Sequence, residues 1–113
     1  MREIPIHLEV NRMGRDVVMR ITGGDAHIGA AATAYSGPEG TTVGEVICLP
    51  GHCEGDLVLE LAKLASAELQ VTVTVLAGIH VHQPTLEEIQ DIVLRSIRAV
   101  RNAVSRETGR GAE

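Results

Sequence analysis

The chain has 113 residues, 44% of them apolar and 22% charged, with a formal charge of −5. That length forms one domain, burying roughly 60–70% of its unfolded surface around a single modest core. There is no Lys/Arg cluster to neutralise phosphates, and Tyr35 is the only Phe, Tyr or Trp, which argues against nucleic-acid binding; no apolar run approaches the roughly 20 residues of a membrane span.

The opening segment MREIPIHLEV alternates polar and apolar residues and lacks the apolar core of a signal peptide, so the expected location is the cytoplasm. Cys48 and Cys53 are then expected to be reduced. Their spacing is that of neither a zinc pair nor a redox motif. Cys48 reads as a small core residue, and Cys53 as a loop residue. Without large rings the core must be Val, Ile, Leu and Ala, and small aliphatic domains of this kind often gain stability by oligomerising.

Residues 3–10 place Ile4, Ile6, Leu8 and Val10 on one face and Glu3, His7 and Glu9 on the other, a half-buried strand. Asn11 to Gly14 reads as a turn. Residues 15–22 predict a second strand with Val17, Met19 and Ile21 inward. Gly23-Gly24-Asp25 is a turn whose backbone angles favour glycine. Residues 27–35 predict a third strand, HIGAAATAY, small enough to let something pack close. SGPEGTT follows as a polar loop, and VGEVICL (43–49) predicts a fourth strand stopped by Pro50-Gly51.

The period then changes. Leu57, Val58, Leu61, Leu64 and Ala65 mark one face of a helix over 56–69. VTVTVLAGIHVH (71–82) returns to period two as a fifth strand. Thr85 with Glu88 three residues on is a capping box opening a second helix. Its apolar positions are Ile89, Ile92, Val93, Ile97, Val100 and Val104, with Arg95, Arg98 and Arg101 off that stripe. The fold class is therefore α+β, a mostly antiparallel sheet with two helices in β-β-β-β-α-β-α order. Residues 1–107 form the single domain and 108–113 a flexible tail.

A meander with one parallel helical crossover brings three segments to one edge: GGDAHIGA (23–30), PGHCE (50–54) and GIHVHQPT (78–85). Four of the five histidines lie in them. Both helices also begin there, and a helix N-terminus suits an anion such as phosphate. Neutral imidazoles with Asp25 suit a divalent metal. His80 and His82, two apart on a strand, would project from the same face about 6.5 Å apart at the backbone, the open face where a partner subunit could cover them. Which histidines are ligands stays open at this point. Catalytic signatures are missing: there is no GxSxG, Walker loop, GxGxxG or HExxH. His52 beside Cys53 and the Asp25/His27 pair are the nearest approaches to a nucleophile or an acid–base pair, and Glu87 and Glu88 are accounted for by the helix start.

GGDAHIGA, PGHCE and AGIHVHQPTLEEI, in this order and spacing, resemble the LpdD-like prenylated-flavin chaperone family, itself related to the proteasome assembly chaperones. The resemblance spans about residues 3–104. It implies a small cytoplasmic homodimer that holds prenylated flavin mononucleotide without catalysis and assists its delivery to, or maturation in, a UbiD-type decarboxylase. Carried over by position, Gly23, Gly24, His27, Gly29, Pro50, Gly51, His52, Gly78 and His80 match its motifs. The candidate cofactor-binding set is Gly23, Gly24, Asp25, His27, Gly29, Gly51, His52, Gly78 and Thr85; the candidate ligands of a divalent metal are His27, His52, His80 and His82. Flavin rings favour flat apolar surfaces, for which the alanine run Ala30 to Ala34 or an aliphatic dimer interface would have to serve. Two other classes remain: a client-binding assembly chaperone without cofactor, and a small metal-dependent enzyme using His27, His52 and His80.

Overall fold

The computed structural model describes residues 2–50 and 54–112, with side chains through Thr108. The elements are β1 (Ile6–Met13), β2 (Asp16–Gly24), β3 (Ala30–Ser36), a 3-10 turn (Pro38–Gly40), β4 (Thr42–Cys48), α1 (Gly55–Leu69), β5 (Val73–His80) and α2 (Leu86–Ala112). The expected β-β-β-β-α-β-α order and α+β class are both present. α2 continues past Val104, the last position of its apolar stripe, to Ala112.

The sheet order is β1-β2-β5-β3-β4. Only the β2–β5 pair is parallel; the other three are antiparallel. This corrects the simple meander, in which β2 and β3 would be neighbours: β5 lies between them. The strand directions are those of the meander, but the adjacency is not. The physical reason is burial. β5 carries the β-branched residues Val73, Thr74, Val75 and Ile79, and in the central position it gains two hydrogen-bonded partners while Val73, Val75 and Ala77 sink to 0–1% exposure.

Inserting β5 forces the β2–β3 connection, residues 25–29, to cross the end of that strand. The crossing is held by two backbone bonds: the Asp25 N–H donates to the His80 carbonyl (3.0 Å) and the Gly29 N–H to the Ala77 carbonyl (2.9 Å). Between them the His27 carbonyl rests on Gly78, where a Cβ would lie 1.2 Å from the oxygen. Gly24 opens the crossing at φ +61°, and a Cβ there would lie 2.1 Å from the His80 oxygen. Both glycines are thus required by the chain's own path.

Both helices cover one face of the sheet. Under them lie Val17, Met19 and Ile21 of β2, Ala30, Ala32 and Ala34 of β3, and the inward residues of β5. The helices answer with Val58, Leu61, Ala62 and Ala65 of α1 and Val100, Ala103 and Val104 of α2. The small residues of β3 do let something pack close, and that something is α1. β1 begins at Ile6, later than expected, with Ile6, Leu8 and Val10 half-buried on the helix side and His7 exposed on the other. Cys48 is exposed, not a core residue: it ends the edge strand β4, where Gly55 of α1 covers only one side of its sulfur.

Gly78→Ala should therefore lower stability by more than about 4 kcal/mol, because backbone and not a mobile side chain occupies the space. Gly14→Ala, at φ +62° with nothing within 4 Å, should lose only about 1–2 kcal/mol. Urea denaturation of the two variants measures both; equal losses would contradict the crossing.

Candidate functional site

The crossing draws residues 24–29 and 77–80 to one edge, and the described residues on either side of 51–53 meet it there. The Leu49 N–H, just past β4, donates to the Gly29 carbonyl (2.8 Å), tying the end of β4 to the crossing. The Glu54 carboxylate, at the start of α1, lies over Gly29, 3.0 Å from where a Cβ would stand. The rings of His27 and His80 meet edge to face, with centroids 5.6 Å apart and planes at 61°. His27 is carried by the crossing and His80 is the last residue of β5, so this contact is a product of the inserted strand. Beside it is an open pocket of about 530 Å³ between the N-terminal segment and the Gly24–Asp25 turn, with His80 and His82 on its wall.

The sequence-predicted residues divide as follows. Gly24, Asp25, His27, Gly29, Gly78 and His80 come together at this edge. Gly23 is buried under Pro5 and Ile6. Gly51, His52 and Cys53 fall outside the described residues. His82 departs from its expected place: β5 ends at His80, so the two are not an i, i+2 pair on one strand. β2 stops at Gly24, opposite His80, and beyond that point no strand remains to pair with, so the chain turns away, with Gln83 at φ +44°. His80 packs on His27 instead. Among the described residues, no group of three or more His, Cys, Asp or Glu side chains is placed to hold a metal ion.

Thr85 forms the predicted capping box. The Glu88 N–H donates to Thr85 Oγ1 (3.1 Å) and the Thr85 N–H to Glu88 Oε1 (2.8 Å). The start of α2 is therefore partly satisfied by its own side chains. A carboxylate also sits there, balanced by Arg2, whose part the sequence analysis missed. Arg2 Nε donates to Glu88 Oε2 (2.9 Å), Nη2 to Oε1 (3.0 Å), and the Arg2 backbone N–H to Oε2 (3.0 Å). Nη2 also reaches the carbonyl of His82 (2.9 Å). Arg95 secures the same segment through the carbonyl of Ile4. One arginine near a chain end carries no periodic or motif signal, which is why it escaped notice. Its guanidinium is half exposed and lines the pocket that His80 and His82 wall.

The helix-free face supplies the apolar part of the edge. Register places Leu76 of β5, Ala31 of β3 and Ile47 of β4 side by side across it, just below Gly78. Ile47 is 73% exposed, and Ile28 and Leu49 nearby are 60% and 44% exposed. One step along, the hydroxyls of Thr33 and Thr74 bond each other at 2.7 Å. The alanine run cannot be the flat surface, since Ala30, Ala32 and Ala34 are at most 1% exposed beneath α1. Only Ala31 and the aliphatic side chains beside it are open.

The fold defined by this five-stranded sheet and two helices is shared with a chain of a solved proteasome-assembly chaperone complex. A chain from the crystal structure of a chaperone complex for yeast 20S proteasome assembly is similar to this one with a TM-score of 0.61 at 9% identity, over 92% of this chain and 97% of that one. The chain belongs to the prenylated flavin chaperone LpdD-like domain family, whose model matches residues 1–107. No curated protein sequence matches it. Among the described residues, no helix is long and apolar enough to cross a membrane.

The Arg2 hydrogen bonds, helped by the Thr85 N–H, push the Glu88 carboxyl down from 4.5 to about 2. A carboxyl depressed on folding stabilises the protein above its unfolded pKa, and that contribution is lost as pH falls through the folded value. Wild type should therefore lose stability between about pH 4.5 and pH 2 through this group. Glu88→Gln should flatten the loss while keeping the Thr85 cap. Urea midpoints over that pH range check it, and parallel curves for the two proteins would count against the Arg2–Glu88 link.

Proposed function

We propose that this protein is a non-catalytic chaperone that binds prenylated flavin mononucleotide stoichiometrically and delivers it to, or assists its maturation in, a UbiD-type decarboxylase. The family supports the cofactor class. The observation that carries the reading to this edge is the His27–His80 contact beside an uncovered aliphatic strip. The tricycle and its prenyl-derived ring would lie on Leu76, Ala31 and Ile47, with Ile28 and Leu49 at the margin. The phosphate would enter the pocket near Gly24, Asp25 and His80, where Arg2 is the nearby guanidinium. Gly23, Gly29 and Gly78 serve this site by shaping the crossing, and Thr85 by fixing the start of α2.

A divalent ion fits the same reading as an accessory. His27 and His80 supply two imidazoles, and His52 and His82 are the proposed further ligands. The working form is a cytoplasmic homodimer. A client-binding chaperone without cofactor is the second reading, favoured by the exposure of Ile28, Ile47 and Leu49. A small enzyme built on His27, His52 and His80 is the third, and it would show turnover.

Native mass spectrometry with prenylated flavin mononucleotide should show one flavin per subunit. His27→Ala and His80→Ala should each weaken binding at least tenfold, about 1.4 kcal/mol, with the folded circular dichroism spectrum retained. Absence of flavin binding by the wild type would move the weight to client binding, and multiple turnovers would favour the enzyme.

A further inference from the structure

The apolar stripe of α2 is covered only along part of its length. Ile92, Val100 and Val104 are buried in the chain's own core. Towards the start of the helix Leu86, Ile89 and Val93, with Leu94 beside them, are left 70%, 45%, 36% and 48% exposed. Spacings of three and four residues put these side chains along one side of the helix. Next to Val93 runs a groove of about 720 Å³ between α1 and α2, lined by Leu57 and Leu64 from α1 and Ile97 from α2.

The charges around this groove are sorted by sign. Both helices leave the histidine edge and run in the same direction. Asp56 and Glu60 flank the groove towards the start of α1, and Lys63 and Arg101 flank it further along. The exposed side of α2 is sorted the same way, with Glu87 at its start and Arg98 and Arg101 further on. A second α2 laid in parallel would set like charges together. Laid antiparallel, it brings its Glu87 towards Lys63 and Arg101, and its Arg98 towards Asp56 and Glu60. An antiparallel arrangement is also what a two-fold axis across the helix generates, and it makes the patch complementary to itself.

We infer that two copies pair through α2, antiparallel about a two-fold axis near Val93, each α2 seated in the α1–α2 groove of the other. This rests on the dimeric part of the proposed function and is independent of flavin. It leaves the helix-free face of both copies open.

Sedimentation equilibrium tests it at micromolar protein. The wild type should be a dimer. Val93→Glu should raise the dimer dissociation constant at least 100-fold without changing the circular dichroism spectrum, while Ile47→Glu on the opposite face should leave it within threefold. Glu60→Arg should weaken the dimer at least tenfold, and adding Arg98→Glu should restore it, an outcome that a variant merely failing to fold cannot give. A monomeric wild type, an unaffected Val93→Glu or Glu60→Arg dimer, failed rescue, or a dimer broken by Ile47→Glu overturns the pairing. A flavin titration of the wild type separates the two readings: a monomer that binds flavin overturns the pairing alone, and a dimer that binds none overturns the cofactor reading alone.

Discussion

A backbone carbonyl resting on a glycine Cα determines most of what stands at the histidine edge. Once β5 is inserted between β2 and β3, their five-residue connection has to pass over it, and Gly78 is where it passes. The His27 carbonyl lies 1.2 Å from where any Cβ would be, so the crossing tolerates no larger residue without lifting. The amide bonds of Asp25 and Gly29 to β5 then fix both ends of the loop. His27 meets His80 because the loop is pinned, and the end of β4 joins through Leu49 for the same reason.

Much of this could be read in the residues. Period-two runs and the change to helical spacing at Asp56 gave the five strands, the two long helices and their order, and Thr85 with Glu88 gave the cap; the 3-10 turn at Pro38–Gly40 was read only as a polar loop. Segments 24–29 and 77–80 do converge, with Leu49 and Glu54 beside them; residues 51–53 of the third segment lie outside the described residues. What escaped was adjacency. Consecutive strands usually pair, and alternation within a strand carries no information about which strand lies beside it. The signals that could have suggested the crossing were small: a five-residue connection longer than a tight hairpin needs, and a glycine at position 78 inside an otherwise β-branched strand. His82 was misplaced because alternation in the sequence continued after the sheet had run out of partners. The alanines of β3 were right as a mark of close approach but were met by α1. Arg2 had no pattern to betray it.

The glycines of the recognised motifs have a reading in the fold itself. Gly24 and Gly78 are occupied by the chain's own carbonyls, so their presence needs no ligand to account for it. The features that do point outward are different ones: two imidazoles meeting edge to face, a half-exposed guanidinium tethered to a buried carboxylate, and an aliphatic strip on a face no helix covers. The imidazoles and the strip lie on the side away from the helices, and the guanidinium lies at the start of α2. The proposed association through α2 would use the helix side of the sheet, opposite that strip.

Amide hydrogen exchange with and without prenylated flavin mononucleotide is the most direct measurement. The account predicts that the Asp25 and Gly29 amides are already protected in the unliganded protein, and that ligand adds protection over residues 24–30 and 76–82. Rapid exchange at Asp25 and Gly29 would contradict the pinned crossing, and ligand protection confined to the α1–α2 groove would contradict the histidine edge as the binding site.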